Sequence, residues 1–157
     1  MTPEITRIDS LSQGDLAPLL EASEAEGYGF VRRVVREWIS GTNTFSGPGE
    51  ALLGASVDGR LVGIGGLMAD PYARDPSVGR LRNVYVLPTF RDRGVGRRLV
   101  ERIVALARVR FAVLRLRAET SDAARLYERM GFVRLPDGGD ATHAMRLPPA
   151  DAGVCRG

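Results

Sequence analysis

The sequence of 157 residues contains no lysine, so all 22 of its basic residues are arginines. Its single cysteine, Cys155, excludes an intramolecular disulfide. Histidines, cysteines and carboxylates do not cluster at ligand spacing, so we expect no metal site. The apolar runs are much shorter than a membrane span, and the N-terminus lacks the basic and apolar segments of a secretory signal. We therefore expect a cytoplasmic protein without a membrane partner.

The charge that is present is mixed in sign. The formal net charge is +3, and arginines alternate with acids in stretches such as "RRVVREW" and "RLYERMG". A nucleic-acid-binding surface gathers its basic residues on one face, so we expect no nucleic-acid partner. Length and composition fit one globular domain. We expect this domain to span residues 1–148 and residues 149–157 to form a flexible tail.

The first forty residues have the pattern of two helices. Asp15 is placed to cap the first helix. The stretch "EGYG", residues 26–29, interrupts the helical pattern before the second helix begins. Apolar residues at intervals of four give the second helix one face, which we expect to belong to the core: Phe30, Val34 and Trp38.

Strands and helices alternate in the rest of the chain. The pair Asp58 and Gly59 predicts a tight hairpin turn between two apolar strands. The strand "RLRNVYVL" precedes a glycine turn and a third helix, and a further strand precedes a fourth helix closed by Gly131. Two short strands follow, the second with His143, so the order predicts a mixed sheet covered by helices. The apolar positions of the last two helices are Val95, Leu99, Ile103 and Leu106, then Leu126 and Met130.

A glycine pair lies between strand and helix in "VYVLPTFRDRGVGRRLVERIV", residues 84–104. The first turn of a helix leaves backbone N–H groups unpaired and carries partial positive charge. Because Gly94 and Gly96 have no side chains, phosphate oxygens can approach these N–H groups. Neighbouring arginines, Arg91 among them, add attraction. The pattern indicates a phosphate or pyrophosphate site, or else a tight turn whose glycines serve only packing.

Two better-known phosphate-binding patterns do not fit this turn. A P-loop requires Gly-Lys-Ser or Gly-Lys-Thr, and the sequence has no lysine. A dinucleotide-binding fingerprint requires a third glycine, where this sequence has Leu99. That fingerprint also belongs to the first strand of its fold, whereas several elements precede this turn.

The turn resembles the acetyl-CoA-binding motif of the GNAT superfamily of N-acetyltransferases. That motif consists of Arg or Gln, two residues, Gly, one residue, and Gly or Ala, matched here by Arg91, Gly94 and Gly96. The segment "TSDAARLYERMGF", residues 120–132, is similar to the family's "N-x-x-A-x-x-L-Y-x-x-x-G-F". The resemblance implies an α/β (α+β) GNAT fold. Its mixed, mostly antiparallel central sheet of about six to seven strands is flanked by about four helices.

The resemblance also implies an activity, the transfer of the acetyl group of acetyl-CoA to a primary amine through a ternary complex. With no cysteine near the motifs, transfer is expected to be direct. In this family the strand before the glycine turn splays from its neighbour, and its backbone pairs with the pantetheine arm. The cofactor-binding residues implied here are Val84, Tyr85, Val86, Asp92, Arg93, Gly94, Val95, Gly96, Arg97 and Thr120.

Tyr127 matches the tyrosine that donates a proton to the departing CoA thiolate in many family members. Its alternative is a core aromatic beside Leu126. The sequence departs from the family pattern at Thr120, where asparagine is usual. The strand "RLRNVYVL" also lacks the glutamate that serves many members as general base. The expected base is Glu26; Glu24 or Glu119 acting through water, or an acceptor that arrives as a free amine, are the alternatives.

The acceptor site of this family is built from the first two helices and their joining loop. Here Glu24 and Tyr28 are the candidate substrate-binding residues, placed with Glu26 to meet a cationic amine. The acceptor is left open between a small amine, an antibiotic, an amino acid and a protein N-terminus. Because the strand glutamate is missing, the alternative function is a non-catalytic acyl-CoA-binding or sensor module. The resemblance also allows a homodimer, and we expect His143 to be structural.

Overall fold

The computed structural model describes residues 2–11, 15–136 and 139–148. The expected tail, residues 149–157 with Cys155, lies outside the described residues. The helices are α1 (Ala17–Ala25), α2 (Phe30–Ser40), α3 (Val95–Arg110) and α4 (Ser121–Arg129). The strands are β1 (Glu4–Arg7), β2 (Ala51–Val57), β3 (Arg60–Ala69), β4 (Val78–Val86), β5 (Val113–Leu116), β6 (Val133–Arg134) and β7 (His143–Arg146).

These strands form one mixed sheet in the order β1-β2-β3-β4-β5-β7-β6. Strands β4 and β5 pair in parallel, and every other neighbouring pair in the described sheet is antiparallel. The parallel pair requires a crossover, which α3 supplies between β4 and β5. The predicted mixed, mostly antiparallel sheet with about four helices is confirmed.

Strand β1 is the element that the sequence pattern did not predict. It pairs with β2 from Glu4 opposite Ser56 to Arg7 opposite Leu53. None of its four residues is buried, so the segment lacks the alternation of apolar and polar residues by which a half-buried strand is recognised. It adds a seventh strand at the edge of the sheet.

The beginning of α1 differs from the prediction. The N-cap position is occupied by Leu16, whose side chain cannot cap, and Asp15 lies one residue before it. Pro18 lies in the first turn, where a missing N–H costs no helical hydrogen bond. The predicted break is confirmed, because Glu26 ends α1, Gly27 has a φ of 90° and α2 begins at Phe30.

The predicted hairpin joins β2 and β3. Asp58 and Gly59 have φ angles of 51° and 78°, which are the left-handed conformations that a type I′ turn requires. Val57 and Arg60 are the first pair of the ladder. The hairpin places β3 in the middle of the sheet, beside β4.

Helix α3 packs closely on one face of β3. A Cβ added at Gly63 would lie 3.2 Å from the Leu99 side chain, and one added at Gly65 would lie 2.9 Å from that of Ile103. The buried positions of the helix are Val95, Leu99, Val100, Ile103 and Ala107. The prediction was wrong for Leu106, which is 38% exposed. The buried positions continue in steps of four from Leu99 through Ile103 to Ala107, because a single face of the helix contacts the core.

Helix α4 buries a different stripe from the predicted one. Ala124 and Tyr127 are its buried residues, while Leu126 and Met130 are only partly buried. Gly131, with a φ of 106°, follows the helix as predicted. The face of α4 that packs on the core is therefore the face that carries Tyr127.

A buried network of charges joins β3, β4 and β5 at the end of the sheet where β4 and β5 pair. The Asp70 carboxylate is fully buried and accepts a hydrogen bond of 2.8 Å from the backbone N–H of Tyr72. Its Oδ2 lies 3.5 Å from Nη1 of Arg80 and 3.4 Å from Nη1 of Arg115. Arg80 and Arg115 also contact Asp140. One carboxylate thus compensates two arginines on adjacent strands.

We expect Asp70→Ala to lower the free energy of unfolding by about 3 kcal/mol, because the change leaves two inward-facing arginines without their shared counterion. Urea titration followed by circular dichroism measures this loss. Asp9→Ala is the control, since Asp9 pairs with Arg7 at the surface and should cost less than about 0.5 kcal/mol. Equal, small effects of the two changes would contradict the role given to Asp70.

Candidate active site

Strands β4 and β5 separate in the middle of the sheet. Their pairing runs from Val78 opposite Val113 to Arg80 opposite Arg115 and then stops. Strand β4 continues for six further residues, 81–86, while β5 ends at Leu116. Within the described ladder, this part of β4 pairs with β3 only. Val84, Tyr85 and Val86, the residues expected to contact pantetheine, therefore lie along the edge of an opening in the sheet.

A bulge in β4 begins three residues beyond its last pair with β5. Ile64 pairs with Tyr85 and Gly66 with Arg82, so two residues of β4 face Gly65 alone. One of the two, Asn83, has a φ of 62°, which a non-glycine residue rarely adopts. A bulge increases the local twist and bends its strand. It thus gives a local physical reason why β4 leaves β5 here.

The glycine turn follows the free end of β4. A short 3-10 turn, Pro88–Phe90, leads to Arg91 in an extended conformation. Gly94 is the N-cap of α3 with a φ of 84°, and it has no side chain that could accept a hydrogen bond from the helix N–H groups. The first helical bond there runs from the N–H of Arg98 to the carbonyl of Gly94, at 3.0 Å. The N–H groups before it point out of the helix start, as expected for an anion site.

The backbone conformation requires a glycine at one of the two glycine positions of the turn and not at the other. Gly94 needs its positive φ. Gly96 has no such φ, and a Cβ there would make only ordinary contacts, 3.7 Å from Val86 and 3.9 Å from Leu126. The protein's own packing therefore does not require Gly96. It faces the space where β4, α3 and α4 converge, and a Cβ would fill part of that space.

The arginines of the turn contact different side chains. Arg93 lies over the ring of Phe90, with 5.6 Å from its Cζ to the ring centroid. Arg97 pairs with Glu101 one helical turn away, at 3.3 Å, and both side chains are about half exposed. Asp92 has a φ of 61° and is exposed. Both arginines thus remain at the exposed surface of the turn.

Helix α4 borders the opening on its other side. Thr120 is the N-cap of this helix, and its Oγ1 accepts a hydrogen bond of 3.1 Å from the N–H of Ala123. Threonine thus supplies the cap, a role that asparagine also fills well. The helix begins at Ser121, and its Leu126 approaches Gly96.

Tyr127 lies on the buried face of α4. Its ring is edge-on to Phe132, with 5.6 Å between ring centroids, and the residue is 8% exposed. Burial raises the pKa of Tyr127 to about 12, because the phenolate would lose its hydration. Among the described residues, every fully buried side-chain polar atom has a partner, and the Tyr127 hydroxyl bonds to none of these residues. Its hydroxyl thus has no hydrogen-bond partner among these residues, while its ring is packed.

Glu26 connects the α1–α2 break to β4 and to the glycine turn. Its Oε1 accepts a hydrogen bond of 2.6 Å from the Tyr85 hydroxyl. Arg91 donates two more, each of 2.8 Å, one to either carboxylate oxygen. The hydrogen bonds from Arg91 and then from Tyr85 lower the pKa of Glu26. Burial, followed by contact with Glu26, raises the pKa of Tyr85.

An aromatic cluster adjoins this carboxylate. Tyr28, Phe30 and Tyr85 lie with their ring centroids 5.8 to 6.4 Å apart in tilted and edge-on arrangements. Glu24, in contrast, is exposed and forms an ion pair with Arg32 of α2, which lowers the pKa of Glu24. The structure thus brings Glu26 and Tyr28 to the end of β4, and turns Glu24 towards α2.

The other polar candidates lie outside this constellation. His143 is fully buried, with Nδ1 at 2.8 Å from Oγ1 of Thr142 and Nε2 at 2.8 Å from a carboxylate oxygen of Glu128. Both ring nitrogens are thus engaged, as expected for a structural histidine. Glu119, one of the alternative bases, is 72% exposed beside Arg117.

Sequence reasoning missed the partnership of Arg91. The motif suggested an arginine that attracts phosphate, but its guanidinium contacts Glu26, which lies 65 residues earlier. No local pattern reports such a contact. The available indication was that an acidic residue, Glu26, stands at a glycine-rich break in the region expected to form the acceptor site.

Residues 2–11, 15–136 and 139–148 contain no group of three or more His, Cys, Asp or Glu side chains that could hold a metal ion. In the same ranges, no helix has the length and hydropathy needed to cross a membrane.

The comparisons with known proteins agree with this geometry. The family model described as the acetyltransferase (GNAT) domain matches residues 48–134, from before β2 to the end of β6. No curated protein matches the sequence. More than half of the chain is covered by the family match. The chain therefore belongs to the GNAT family of acetyltransferases, a family that implies acyl transfer from acetyl-CoA.

Solved structures support the assignment. A protein assigned as an acetyltransferase from Exiguobacterium sp. 255-15 is 31% identical, with 93% of this chain and 94% of that chain covered and a TM-score of 0.82. The ribosomal-protein-S18-alanine N-acetyltransferase of Escherichia coli is 21% identical, with 97% of each chain covered and a TM-score of 0.64. PH1933 of Pyrococcus horikoshii OT3 is 20% identical, with 94% and 99% covered and a TM-score of 0.72. The last two share the fold.

The lowered pKa of Glu26 makes its contribution to stability depend on pH. The carboxylate stabilises the folded state above its ordinary pKa of 4.5, and this contribution is lost as pH falls through the lowered value. We expect Glu26→Gln to cost about 1 kcal/mol of unfolding free energy at pH 7, since the pair is partly exposed. The difference should shrink below pH 4.5. Urea titrations at pH 7 and pH 3.5 measure it, and a difference that grows at low pH would contradict this account.

Proposed function

We propose that the protein is an N-acetyltransferase that moves the acetyl group of acetyl-CoA directly to a primary amine. One observation carries the proposal: β4 parts from β5 beside an uncapped helix N-terminus, so an extended backbone edge continues into an anion site. Acetyl-CoA has the matching sequence of groups, a peptide-like pantetheine arm followed by a pyrophosphate. The backbone of Val84, Tyr85 and Val86 would bind the arm.

The glycine turn fits the pyrophosphate. The N–H groups of Asp92, Arg93 and Gly94 through Arg97 belong to the turn and to the first turn of α3, where the helix dipole favours negative charge. The space in front of Gly96 supports this role, because packing within the protein gives no reason for a glycine there. Thr120, at the start of α4, borders the same opening.

Tyr127 is the proposed general acid. When the amine nitrogen bonds to the thioester carbon, the carbon–sulfur bond breaks and the CoA thiolate leaves. The Tyr127 hydroxyl gives this sulfur its proton. The phenol keeps its proton at neutral pH, as an ordinary tyrosine does, and burial raises the pKa of Tyr127 further, to about 12.

Glu26 is the proposed partner of the incoming amine and its general base. Of the three candidate carboxylates, it alone contacts β4, through the Tyr85 hydroxyl. Its lowered pKa keeps it ionised at neutral pH but makes it a weak base. A weak base is sufficient when the acceptor reaches the site as a free amine, because removing the proton of that amine in the transition state then needs little driving force.

The acceptor is proposed to approach along the α1–α2 break. Tyr28 belongs to the aromatic cluster beside Glu26, and Glu24 lies nearby on α1. One neighbour of the same fold acetylates an alanine of ribosomal protein S18. A peptide with a free N-terminal alanine therefore belongs in the first set of acceptors, with an aminoglycoside, a polyamine and free amino acids.

Binding is tested by calorimetric titration with acetyl-CoA of the wild type and of Gly96→Glu. A glutamate in the first turn of α3 favours the helix, so the variant should fold normally. In the complex its carboxylate would meet the pyrophosphate, and we expect the Kd to rise at least about tenfold, or roughly 1.4 kcal/mol.

Val109→Glu is the matched control, because it adds the same charge to the exposed far end of the same helix. Its Kd should equal that of the wild type. If the wild type fails to bind acetyl-CoA, or if Gly96→Glu binds as tightly as Val109→Glu, the proposed cofactor site is wrong.

Turnover is tested with Tyr127→Phe, by following the release of CoA with a thiol-reactive dye over the acceptor set. Loss of a general acid should lower kcat by about 10²-fold or more, with the Kd for acetyl-CoA nearly unchanged. Tyr72→Phe is the control, since Tyr72 is 60% exposed in the loop between β3 and β4.

The same experiment separates the enzyme from the alternative. A non-catalytic acyl-CoA-binding or sensor module would bind acetyl-CoA and release no CoA with any acceptor. If Tyr127→Phe leaves turnover intact, the protein is an enzyme but Tyr127 takes no part in its mechanism.

A further inference from the structure

We propose that Glu26 is also a positioning residue for the cofactor site: it holds Arg91, and through Arg91 it fixes the glycine turn in the shape that binds acetyl-CoA. The inference rests on the proposed function, because it concerns the same turn. Glu26 belongs to the proposed acceptor site and does not touch acetyl-CoA, yet through Arg91 it affects how tightly acetyl-CoA binds.

The contacts of Arg91 leave its side chain a single arrangement. Its Nε donates to the carbonyl oxygen of Val86 at 2.9 Å, and its two terminal nitrogens donate to the Glu26 carboxylate at 2.8 Å each. Its Cζ lies 5.3 Å from the centroid of the Tyr85 ring. A guanidinium bound at all three nitrogens is fixed in position and orientation. The carboxylate that fixes it is itself held by the Tyr85 hydroxyl.

The segment that Arg91 anchors has little else to hold it. Between residues 91 and 94, Asp92 and Gly94 both have positive φ angles, and Asp92 and Arg93 are exposed. Within the part of the chain that the structure describes, Arg91 has the only side chain of this segment that forms hydrogen bonds. The backbone bond from Arg91 to the carbonyl of Pro88 is long, at 3.3 Å. The position of the turn relative to β4 therefore depends on the Arg91 side chain.

The Glu26–Arg91 ion pair also determines which groups of the turn are left to neutralise a pyrophosphate. Because Glu26 neutralises Arg91, the glycine turn must neutralise a pyrophosphate with its backbone N–H groups and with Arg93, Arg97 and Arg98. The motif arginine thus serves geometry more than charge. Since Glu26 ends α1 and Arg91 begins the turn, one ion pair connects the acceptor loop and the cofactor turn.

The test is a double-mutant cycle on acetyl-CoA binding, measured by calorimetry without any amine. Glu26→Gln, Arg91→Ala and the double variant are compared with the wild type. We expect Glu26→Gln to raise the Kd about fivefold, the low end of typical coupling between sites, because the pair is partly exposed. In the Arg91→Ala background, Glu26→Gln should change the Kd no further.

Two controls accompany the cycle. Asp9→Asn removes one carboxylate from an exposed ion pair on β1 and should leave the Kd unchanged. Glu26→Asp keeps the charge with a shorter reach, and it should restore part of the affinity lost in Glu26→Gln. Thermal unfolding of each variant confirms that the compared proteins are folded.

The outcomes separate this inference from the proposed function. If Glu26→Gln binds acetyl-CoA like the wild type, or raises the Kd equally in the presence and absence of Arg91, the positioning role is overturned. A Glu26→Gln variant that loses only kcat is acting in catalysis alone. If the wild type itself does not bind acetyl-CoA, the proposed function fails, and the inference fails with it.

Discussion

The parting of β4 and β5 is the constraint on which the site depends. The two strands pair only as far as Arg80, and the next six residues of β4 pair with β3 on one side and with no described strand on the other. Its unpaired backbone needs hydrogen-bond partners, since buried N–H and C=O groups without partners are costly. An extended ligand can supply them. From the end of β4 the chain passes through the 3-10 turn into the glycine turn, so the backbone edge and the helix N-terminus adjoin.

Both sides of the opening contribute one element of the proposed chemistry. Helix α4, whose buried face carries Tyr127, approaches the glycine turn through Leu126. The α1–α2 break brings Glu26 and the aromatic cluster to the other face of β4, where Tyr85 joins them. The proposed proton donor and the proposed base thus belong to different elements, α4 and the α1–α2 break. Their separation in the chain, residues 26 and 127, shows that the site exists only in the folded state.

Much of the fold could be predicted from the sequence, because its signals are local. The helix break at residues 26–29, the hairpin at Asp58 and Gly59, and the glycine turn each depend on a few adjacent residues with restricted backbone conformations. Strand β1 escaped prediction because its pairing with β2 stabilises it, and its own pattern does not. Leu106 was misplaced because apolar spacing alone does not show that the buried face of the helix continues through Ala107 rather than Leu106.

The candidate site was predictable where it consists of motif residues and unpredictable where it consists of long-range contacts. The two motifs indicated Gly94, Gly96 and Tyr127, and the structure puts Gly96 next to the helix that carries Tyr127. The contact of Arg91 with Glu26 had no local signature, because it depends on how α1 packs against β4. The network around Asp70 was equally hidden, since its members come from four separate segments.

We propose that the edge of β4 and the glycine turn together bind acetyl-CoA. Backbone hydrogen exchange, measured by mass spectrometry with and without saturating acetyl-CoA, tests it most directly. The claim predicts slower exchange in two separated stretches, residues 81–86 and 93–97, with little change at the opposite edge in β1. Binding that leaves both stretches unprotected, or that protects another surface instead, would contradict it.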